Sequence, residues 1–342
     1  MEEGPENSAS SAFAGKSVLV TGATGFTGAV LARRLREAGA RVRVLVRSKE
    51  KLAAKRLGDV GCVEGSVCDR EAVDRAVAGV DAVFHLAAVY REGGLGDEVY
   101  RAVHVGGTEN LCAASLAAGV KRFVHCSTVG VHGHIEDPPA DETYRFSPGD
   151  VYQRTKLEGE RTALDYHSAK GLPVSVVRPS AIFGPEDERL LKMFRLANRD
   201  RIVLIGDGSI HYHLVHVEDL VTGILAAGVA PQAVGEVFIL AGDRYLTLNE
   251  LMHRIAAILG KRGRIIHLPA APFQWAGTVC EKIFIPLGLD PPIYRRRVDF
   301  FTKSRAFDTG KARRLLGFEP RFTVEEGLAE TAEAYRERGW LR

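Results

Sequence analysis

The feature that most constrains the fold is the stretch VLVTGATGFTG, which joins an apolar run to a glycine-rich loop and a helical pattern. Val18–Val20 predicts a strand, and Phe26–Ala40 predicts a helix with an apolar face. The loop between them carries Gly22, Gly25 and Gly28. Glycines between a strand and a helix can hold a phosphate at the helix N-terminus, although GxxGxxG differs from the usual GxGxxG and a plain tight turn is the alternative.

Short β-branched runs then alternate with helical segments. Strands are predicted at Arg41–Val46, Val60–Val63, Ala82–Leu86, Phe123–Cys126 and Val174–Val177, with helices around 70–78, 97–118 and 150–169. This alternation predicts an α/β fold with a Rossmann-type, doubly wound parallel sheet, whose ligands bind at the carboxyl ends of the strands.

The regular alternation of strands and helices ends after Arg178-Pro179, where glycine and proline separate shorter elements. We expect residues 1–15 to form a flexible tail and residues 16–178 to form a dinucleotide-binding domain to which 211–242 returns. Residues 179–210 and 243–342 are expected to form a smaller C-terminal substrate-binding lobe.

Charge and cysteine content exclude several classes of protein. The formal net charge is only +3, which argues against a nucleic-acid partner. The five cysteines form no CxxC pair, so reduced thiols in a cytoplasmic protein are expected. The N-terminus is acidic and polar, unlike a signal peptide, and the sequence has no run of about 18 apolar residues that could span a membrane.

A tyrosine–lysine pair provides candidate proton-transfer chemistry. Tyrosine can exchange a hydroxyl proton near neutral pH when a neighbouring cation lowers its pKa, and residues i and i+4 share one helix face. The pattern occurs at Tyr152/Lys156 and again at Tyr166/Lys170, about 21 Å further along the same predicted helix. Lys170 stands at the helix end, where lysine usually complements the helix dipole, so Tyr152/Lys156 is the predicted catalytic pair.

The end of the second strand indicates the cofactor. A carboxylate at this place accepts from the ribose 2′-hydroxyl of NAD, whereas a cation suits the 2′-phosphate of NADP. Arg47 stands there and no acidic residue does, which favours NADP, with NAD as the alternative. A surface arginine at a strand end, with no role in cofactor binding, is the alternative interpretation of Arg47.

Five motifs in order resemble the extended short-chain dehydrogenase/reductase family: TGATGFTG, HLAA at 85–88, STVGVHG at 127–133, YQRTK at 152–156 and RPSAIFGP at 178–185. The resemblance implies that Thr128 holds the substrate oxygen, Tyr152 is the acid/base, and Lys156 binds the nicotinamide ribose. Together with the residue patterns it predicts these cofactor contacts: Gly22, Thr24, Gly25, Phe26, Thr27, Gly28, Arg47, Ser66, Val67, Leu86, Ala87, Ala88, Tyr152, Lys156, Pro179 and Ile182.

Two positions depart from the family pattern. His104 stands where the family usually has asparagine, which puts the proton-relay role of that position in doubt. Ser66 replaces an aspartate that often contacts adenine, so adenine recognition is expected to rest on backbone groups and Val67. The resemblance also implies a homodimer formed through the helices that follow the fourth and fifth strands.

The substrate is expected to be hydrophobic. RPSAIFGPEDERLL and GDGSIHYHLVHVEDLVTGILAA resemble the 3β-hydroxysteroid or sterol dehydrogenase branch of the family. Within residues 266–300, an apolar pattern at helical spacing could cover a polycyclic ligand, contact a membrane surface through 272–287, or pack on the core. Arg47 argues against the sterol branch, which usually uses NAD.

Three other interpretations compete with the dehydrogenase. A nucleotide-sugar epimerase or dehydratase is the enzyme alternative, with Arg189, Lys192, Arg195 and Arg201 available for a diphosphate. An NADP-binding sensor or scaffold protein is the non-enzyme alternative. No metal is predicted, because HYHLVH would place its histidines on both faces of a strand, and HGHIED is expected to be a loop beside the active site.

Overall fold

The computed structural model describes residues 9–90, 95–284, 287 and 295–341. Its strands are β1 (Ser17–Thr21), β2 (Arg41–Val46), β3 (Gly61–Glu64), β4 (Ala82–His85), β5 (Arg122–Cys126), β6 (Val174–Pro179), β7 (Ala181–Phe183), β8 (Arg201–Ile205), β9 (His211–His216), β10 (Val237–Leu240), β11 (Tyr245–Thr247) and β12 (Arg264–Leu268).

The α-helices are α1 (Phe26–Glu37), α2 (Lys49–Ala53), α3 (Arg70–Val77), α4 (Asp97–Arg101), α5 (Gly107–Ala117), α6 (Val151–Lys170), α7 (Leu191–Ala197), α8 (Val217–Val229), α9 (Leu248–Ile258), α10 (Ala270–Phe284), α11 (Arg295–Thr302), α12 (Gly310–Leu316) and α13 (Val324–Glu337). A π-helical segment, Ala102–Gly106, joins α4 to α5, and 3₁₀ turns span Val129–His132 and Pro231–Ala233.

Seven parallel strands form the central sheet in the order β10-β6-β5-β4-β1-β2-β3. The two halves wind outward from β1 and β4, so the carboxyl ends of these strands form a crevice at the point where the order reverses. Every residue of β4 and β6 is buried, because helices cover both faces of the sheet. The predicted Rossmann-type fold is confirmed.

Residues 211–242, which were predicted to return to the dinucleotide-binding domain, divide between two sheets. β10 joins the sheet beside β6, and α8 packs against β5 and β6. β9, however, lies in a separate three-stranded sheet, because β7 pairs with one of its edges and β11 with the other. β9 therefore lies outside the seven-stranded sheet.

A second apolar core supports the smaller lobe. Helices α7, α9 and α13 contribute side chains that are almost fully buried, including Phe194, Leu251 and Tyr335. The edge-to-face contact between Phe194 and Tyr335, with ring centroids 5.2 Å apart, links the middle of the chain to its C-terminal helix. This lobe is built from segments distant in sequence.

The N-terminal segment is less free than expected. Residues 1–8 of the predicted tail lie outside the described residues. Phe13 is 2% exposed and packs edge-to-face on Phe84 of β4, with ring centroids 5.4 Å apart. The expectation of a flexible tail is wrong around Phe13, because this side chain packs on the central sheet.

Helix α10 is an exposed element. Among its described residues only Gly277 is buried, while Trp275 is 72% exposed and Ile283 is 52% exposed. Leu287, just beyond it, is 66% exposed. In the apolar stripe itself, Phe273, Ala276, Cys280 and Phe284 are half-buried and only Ile283 and Leu287 are exposed, so none of its described residues is fully buried in the core.

Two further findings bear on the class of protein. All five cysteines are free thiols. Over the ranges that the structure describes, no helix combines the length and apolarity that crossing a bilayer requires.

Candidate active site

The glycine loop is tightly packed where a dinucleotide would lie. Gly22 has φ +78°, and a Cβ there would lie 2.8 Å from the backbone carbonyl carbon of Leu86. A Cβ on Gly28 would lie 2.2 Å from the Gly22 carbonyl oxygen, so only glycine lets α1 approach the loop this closely. Gly25 is the N-cap of α1 and supplies no side-chain cap, which leaves the first N–H groups of the helix available to a phosphate. The loop therefore fits a pyrophosphate group.

One cavity of about 370 Å³ connects this loop to the predicted catalytic residues. Its lining includes Thr128, Tyr152 and Lys156. It also includes these predicted cofactor contacts: Gly22, Gly25, Phe26, Thr27, Gly28, Leu86, Ala88, Pro179 and Ile182. The fold thus brings residues from β1, β4, β5, α6 and β6 together at the carboxyl edge of the sheet.

Lys156 is held deep in this site by the end of β5. Its side chain is buried, and its Nζ donates to the Cys126 carbonyl oxygen at 2.5 Å. Burial lowers the pKa of the Lys156 ammonium from its ordinary value. Because position 156 follows position 152 by one turn of α6, its ammonium shares the cavity with the Tyr152 phenol.

Thr128 is oriented by the turn that begins at it. Its Oγ1 accepts from the Gly130 N–H at 3.0 Å, as the N-cap of the 3₁₀ turn. The hydroxyl proton has no acceptor among the described residues, which leaves it able to donate into the cavity. Neighbouring Ser127, the other hydroxyl at this strand end, is 4% exposed and also lines the cavity.

His104 packs against the Tyr152 ring and is held in place by two hydrogen bonds. Its Nε2 accepts from the Val89 N–H at 3.0 Å, so in the neutral ring its Nδ1–H donates to Thr155 Oγ1 at 2.8 Å. Its ring packs edge-to-face on Tyr152, with centroids 5.5 Å apart, and Tyr90 packs on the same tyrosine at 5.1 Å. Burial lowers the pKa of His104 to about 3, so the ring stays neutral at physiological pH. His104 therefore acts here through packing and two hydrogen bonds.

A second buried histidine, His85 at the end of β4, extends the hydrogen-bond network of His104 toward the glycine loop. Thr108 donates its only hydroxyl proton to the His104 carbonyl at 2.6 Å, so His85 Nε2–H must donate to Thr108 Oγ1 at 3.0 Å. His85 Nδ1 then accepts from Thr21 Oγ1 at 2.9 Å, and Thr21 Oγ1 accepts from the Ala87 N–H. Burial lowers the pKa of His85 well below its ordinary value, so this layer is uncharged.

The residues predicted to contact adenine and its ribose lie away from the cavity. Arg47 is exposed at the end of β2, and Ser48 caps α2 by accepting from the Lys51 N–H at 3.1 Å. Val67 is 6% exposed and packs on Gly107, while Asn110 Nδ2 donates to its carbonyl. The residues that the structure does not bring to the cavity surface are Thr24, Arg47, Ser66, Val67 and Ala87. The Val67 side chain belongs to the core, so only its backbone could face an adenine.

A buried ion pair, which the sequence reasoning missed, fixes α6 on the sheet. Arg178 of β6 donates from Nε to Glu160 Oε2 at 3.1 Å, and the two side chains are 3% and 2% exposed. Arg178 Nη1 also donates to His132 Nε2 at 3.0 Å and to the Glu142 carbonyl. The signal was available in sequence, because Arg178 opens RPSAIFGP and Glu160 lies one turn beyond Lys156.

The Tyr166/Lys170 pair and the histidines of HYHLVH, which were not assigned to the active site, make packing and hydrogen-bonding contacts. Lys170 Nζ lies 3.7 Å from the Tyr166 ring centroid, and Tyr166 is in the core behind the sheet. His213 is satisfied by backbone groups, since its Nδ1 accepts from the Phe307 N–H and its Nε2 lies 3.2 Å from the Gly242 carbonyl. His216 packs on Phe322 with ring centroids 3.9 Å apart.

The substrate side of the cavity is largely apolar, with two arginines. Leu190, Met193, Tyr212, Leu214 and Phe300 line it, together with Arg189 and Arg305. Of the four basic residues considered in sequence for a diphosphate, only Arg189 reaches the cavity; Arg305 was missed because its long separation from the other motifs hides the contact. No described residue of α10 lines the cavity, so the expected lid is not formed by that helix.

Comparisons with known proteins place this geometry in a family. The model of the NAD dependent epimerase/dehydratase family matches residues 18–241. The 3β-hydroxysteroid dehydrogenase/Δ5→4-isomerase of Mycobacterium tuberculosis is 31% identical over 334 residues, covering 93% of this chain and 90% of the relative. The 2-alkyl-3-oxoalkanoate reductase of Stenotrophomonas maltophilia is 32% identical over 325 residues, covering 91% of this chain and 97% of the relative.

A solved structure extends the comparison to sugar nucleotides. The dTDP-glucose 4,6-dehydratase of Streptomyces venezuelae, solved with NAD bound, superposes with a TM-score of 0.76 at 28% identity, covering 95% of this chain and 99% of that one. With the family model spanning well over half of the sequence, the chain belongs to the NAD dependent epimerase/dehydratase family, the extended short-chain dehydrogenases/reductases.

Proposed function

We propose that this protein is an NADP-dependent oxidoreductase that interconverts a secondary alcohol and a ketone on a hydrophobic, 3β-hydroxysteroid-like substrate. One observation carries the proposal: a single cavity joins the glycine loop, Thr128, Tyr152 and Lys156 to an apolar wall. The family supplies the NAD-dependent chemistry, and the apolar wall supports the class of substrate.

The roles of the residues follow from their surroundings. The nicotinamide, when bound, exchanges a hydride with the carbinol carbon of the substrate. Tyr152 exchanges the hydroxyl proton, and Thr128 donates a hydrogen bond to the same oxygen. Lys156 holds the ribose and stabilises the tyrosinate by its positive charge, since both side chains line one cavity. His104 and Tyr90 hold the Tyr152 ring between them.

Arg47 supports NADP as the cofactor. It is exposed at the end of β2, and its side chain has no hydrogen-bond or ion-pair partner in the part of the chain that the structure describes. We expect Arg47→Ala to weaken NADPH binding about 10- to 100-fold and to leave NADH binding unchanged. Arg41→Ala, at the opposite end of the same strand, is the matched control. Equal loss of both cofactors, or no loss, would remove the NADP assignment.

Substrate class is tested by a direct assay of cofactor reduction. We expect the protein to reduce NADP⁺ with a neutral 3β-hydroxysteroid such as dehydroepiandrosterone. The M. tuberculosis relative is named for such a substrate, and the apolar wall of the cavity suits a polycyclic one. Absence of any turnover with steroid and with aliphatic secondary alcohols would contradict the proposal.

A nucleotide-sugar 4-epimerase or related enzyme is the second candidate. It is favoured by the likeness to the S. venezuelae dehydratase and by the arginines on the cavity wall. A dehydratase is less well supported, because Val129 and Gly130 follow Thr128 where such an enzyme usually has an acidic residue. Conversion of a UDP-sugar with no net change in NAD(P)H absorbance would favour this candidate over the dehydrogenase.

Three features of the surroundings are part of the proposal. The exposed apolar side chains of α10, including Trp275 and Ile283, would contact a membrane surface peripherally, and Trp275→Ser should weaken co-sedimentation with phosphatidylcholine/phosphatidylserine vesicles.

A homodimer would pair through α5 and α6, which pack against each other, and sedimentation analysis tests it. The five free thiols suit the cytoplasm.

A further inference from the structure

Arg305 is an unusual residue on the cavity wall. It is half-buried, and its backbone N–H donates to the His211 carbonyl at 2.8 Å, which anchors it beside β9. Its guanidinium has no carboxylate or carbonyl partner among the residues that the structure describes. Taking a guanidinium partly out of water without a partner is costly, so such an arginine on a cavity wall is suited to an anionic ligand.

Arg189 does not have the same freedom. Its Nε donates to Asp187 Oδ1 at 2.6 Å, and its Nη2 donates to the Ile182 carbonyl at 3.1 Å. Its guanidinium also lies 5.9 Å from the Phe26 ring centroid, on the side of the glycine loop. Arg189 is therefore committed to its ion pair and to the cofactor side of the cavity.

The charges that line the cavity do not balance. Lys156, Arg189 and Arg305 are cationic, and Asp187 is the one carboxylate among the described lining residues. Asp187 is already paired with Arg189, and Lys156 is assigned to the ribose and Tyr152. Within the described part of the cavity, the charge on Arg305 is the one left for a substrate.

We propose that Arg305 binds a carboxylate of the substrate, so that the enzyme prefers hydrophobic hydroxy or oxo carboxylic acids to neutral alcohols. This inference rests on the proposed function, because it places the carbinol at Tyr152. The carboxylate meets Arg305, and the apolar body lies on Met193, Leu214 and Phe300. A planar guanidinium suits a carboxylate because two parallel N–H donors match its two oxygens.

A carboxylate fits the wall better than a nucleoside diphosphate does. A sugar nucleotide presents many hydroxyl and base edges that need hydrogen-bond partners, and each one left unpaired on burial costs affinity. Leu190, Met193, Leu214 and Phe300 on the cavity wall cannot hydrogen-bond such groups through their side chains. One anionic group on an otherwise apolar molecule satisfies both parts of the wall.

The test compares an acid with its neutral ester. Oxidation of 3-hydroxydodecanoic acid, of its methyl ester and of dehydroepiandrosterone is followed with NADP⁺ in wild type, Arg305→Gln, Arg305→Lys and Arg201→Gln. Arg201 is exposed on β8 outside the cavity and serves as the matched control. We expect wild type to favour the acid over the ester by about 10-fold or more in kcat/KM.

Arg305→Gln should raise KM for the acid about 10- to 100-fold and leave the ester and the steroid unchanged, while Arg305→Lys should recover part of the loss. Equal loss on acid and ester, or no preference in wild type, would overturn the carboxylate assignment while the proposed function stands. No turnover of any of the three by wild type would instead count against the proposed function. Arg305-dependent binding of a UDP-sugar with no preference for the acid would replace carboxylate by diphosphate.

Thermal unfolding of each variant separates binding from folding. If Arg305→Gln lowers Tm relative to wild type, the ratio of acid to ester turnover in Arg305→Lys decides. A retained preference supports the inference, and a ratio near one overturns it.

Discussion

At the scale of single residues, His104 shows how a family position can change its chemistry. A histidine here accepts from the Val89 N–H, donates to Thr155 on α6, and packs its ring on Tyr152. Sequence alone identified histidine in place of asparagine at this position, but it could not show which contacts the histidine makes. The answer needs the π-helical segment that places His104 under α6, and such segments are common at functional sites.

Substitution of His104 tests this positioning role. His104→Phe keeps an aromatic ring against Tyr152 but leaves the Val89 N–H without its acceptor, a loss of about 1–3 kcal/mol when buried. We expect kcat to fall with KM for substrate little changed, because His104 does not line the cavity. His104→Gln, which can restore an acceptor, should recover part of kcat. A change in KM alone, measured by steady-state kinetics, would contradict the positioning role.

At the scale of elements, the glycine loop and α6 carry the site, and both were predictable. The predicted helix at 150–169 compares with α6 at Val151–Lys170, and the predicted strand Arg41–Val46 matches β2 residue for residue. Local periodicity is strong in these segments, which explains the agreement. The pairing of β9 with β7 and β11 depends on contacts between distant segments, and no local pattern shows them.

Gly28 and Gly106 make a matched pair for the loop. Gly28→Ala would place a methyl group against the Gly22 carbonyl, so we expect loss of cofactor affinity and lower stability. Gly106 has helical dihedral angles and open space where a Cβ would lie, so Gly106→Ala should be neutral or stabilising by about 0.5–1 kcal/mol. Isothermal titration with NADPH and urea unfolding provide the measurements. Unchanged cofactor binding in Gly28→Ala would contradict the close packing of loop and helix.

At the scale of the whole molecule, sequence predicted the sheet and the residues that meet at the glycine-loop end of the cavity, but not the apolar wall opposite them. The motifs that line the cofactor side lie at strand ends, where the order of a parallel sheet dictates their meeting. Arg305 and Phe300 come from the C-terminal part of the chain and reach the cavity through tertiary packing. The anchoring of Phe13 on Phe84 was missed for the same reason.

The buried histidines predict a pH dependence of stability. Burial lowers the pKa of His85, His104, His125, His213 and His216, with His104 at about 3 and His213 and His216 at about 4. Below about pH 6.5 the unfolded chain binds protons that the folded chain does not, so stability falls as pH decreases through this range. His104, His213 and His216, whose pKa values are about 3, about 4 and about 4, would each contribute up to about 2 kcal/mol to this loss at pH 5.

Urea unfolding at about pH 7 and pH 5 measures this loss. His125 has neither ring nitrogen hydrogen-bonded within the described residues, and burial lowers its pKa, so His125→Leu should lose less stability than wild type between the two pH values. Equal urea midpoints at the two pH values in wild type would show that these histidines do not titrate as their burial requires.

The central claim is that one cavity carries out alcohol–ketone redox chemistry through Tyr152, and a paired measurement on Tyr152→Phe tests it most directly. NADPH formation from a 3β-hydroxysteroid is followed in wild type and variant, with NADPH affinity measured on the same samples. We predict that the variant loses turnover by about 10²-fold or more while cofactor affinity changes less than about 3-fold. Turnover by Tyr152→Phe at the wild-type rate would contradict the account.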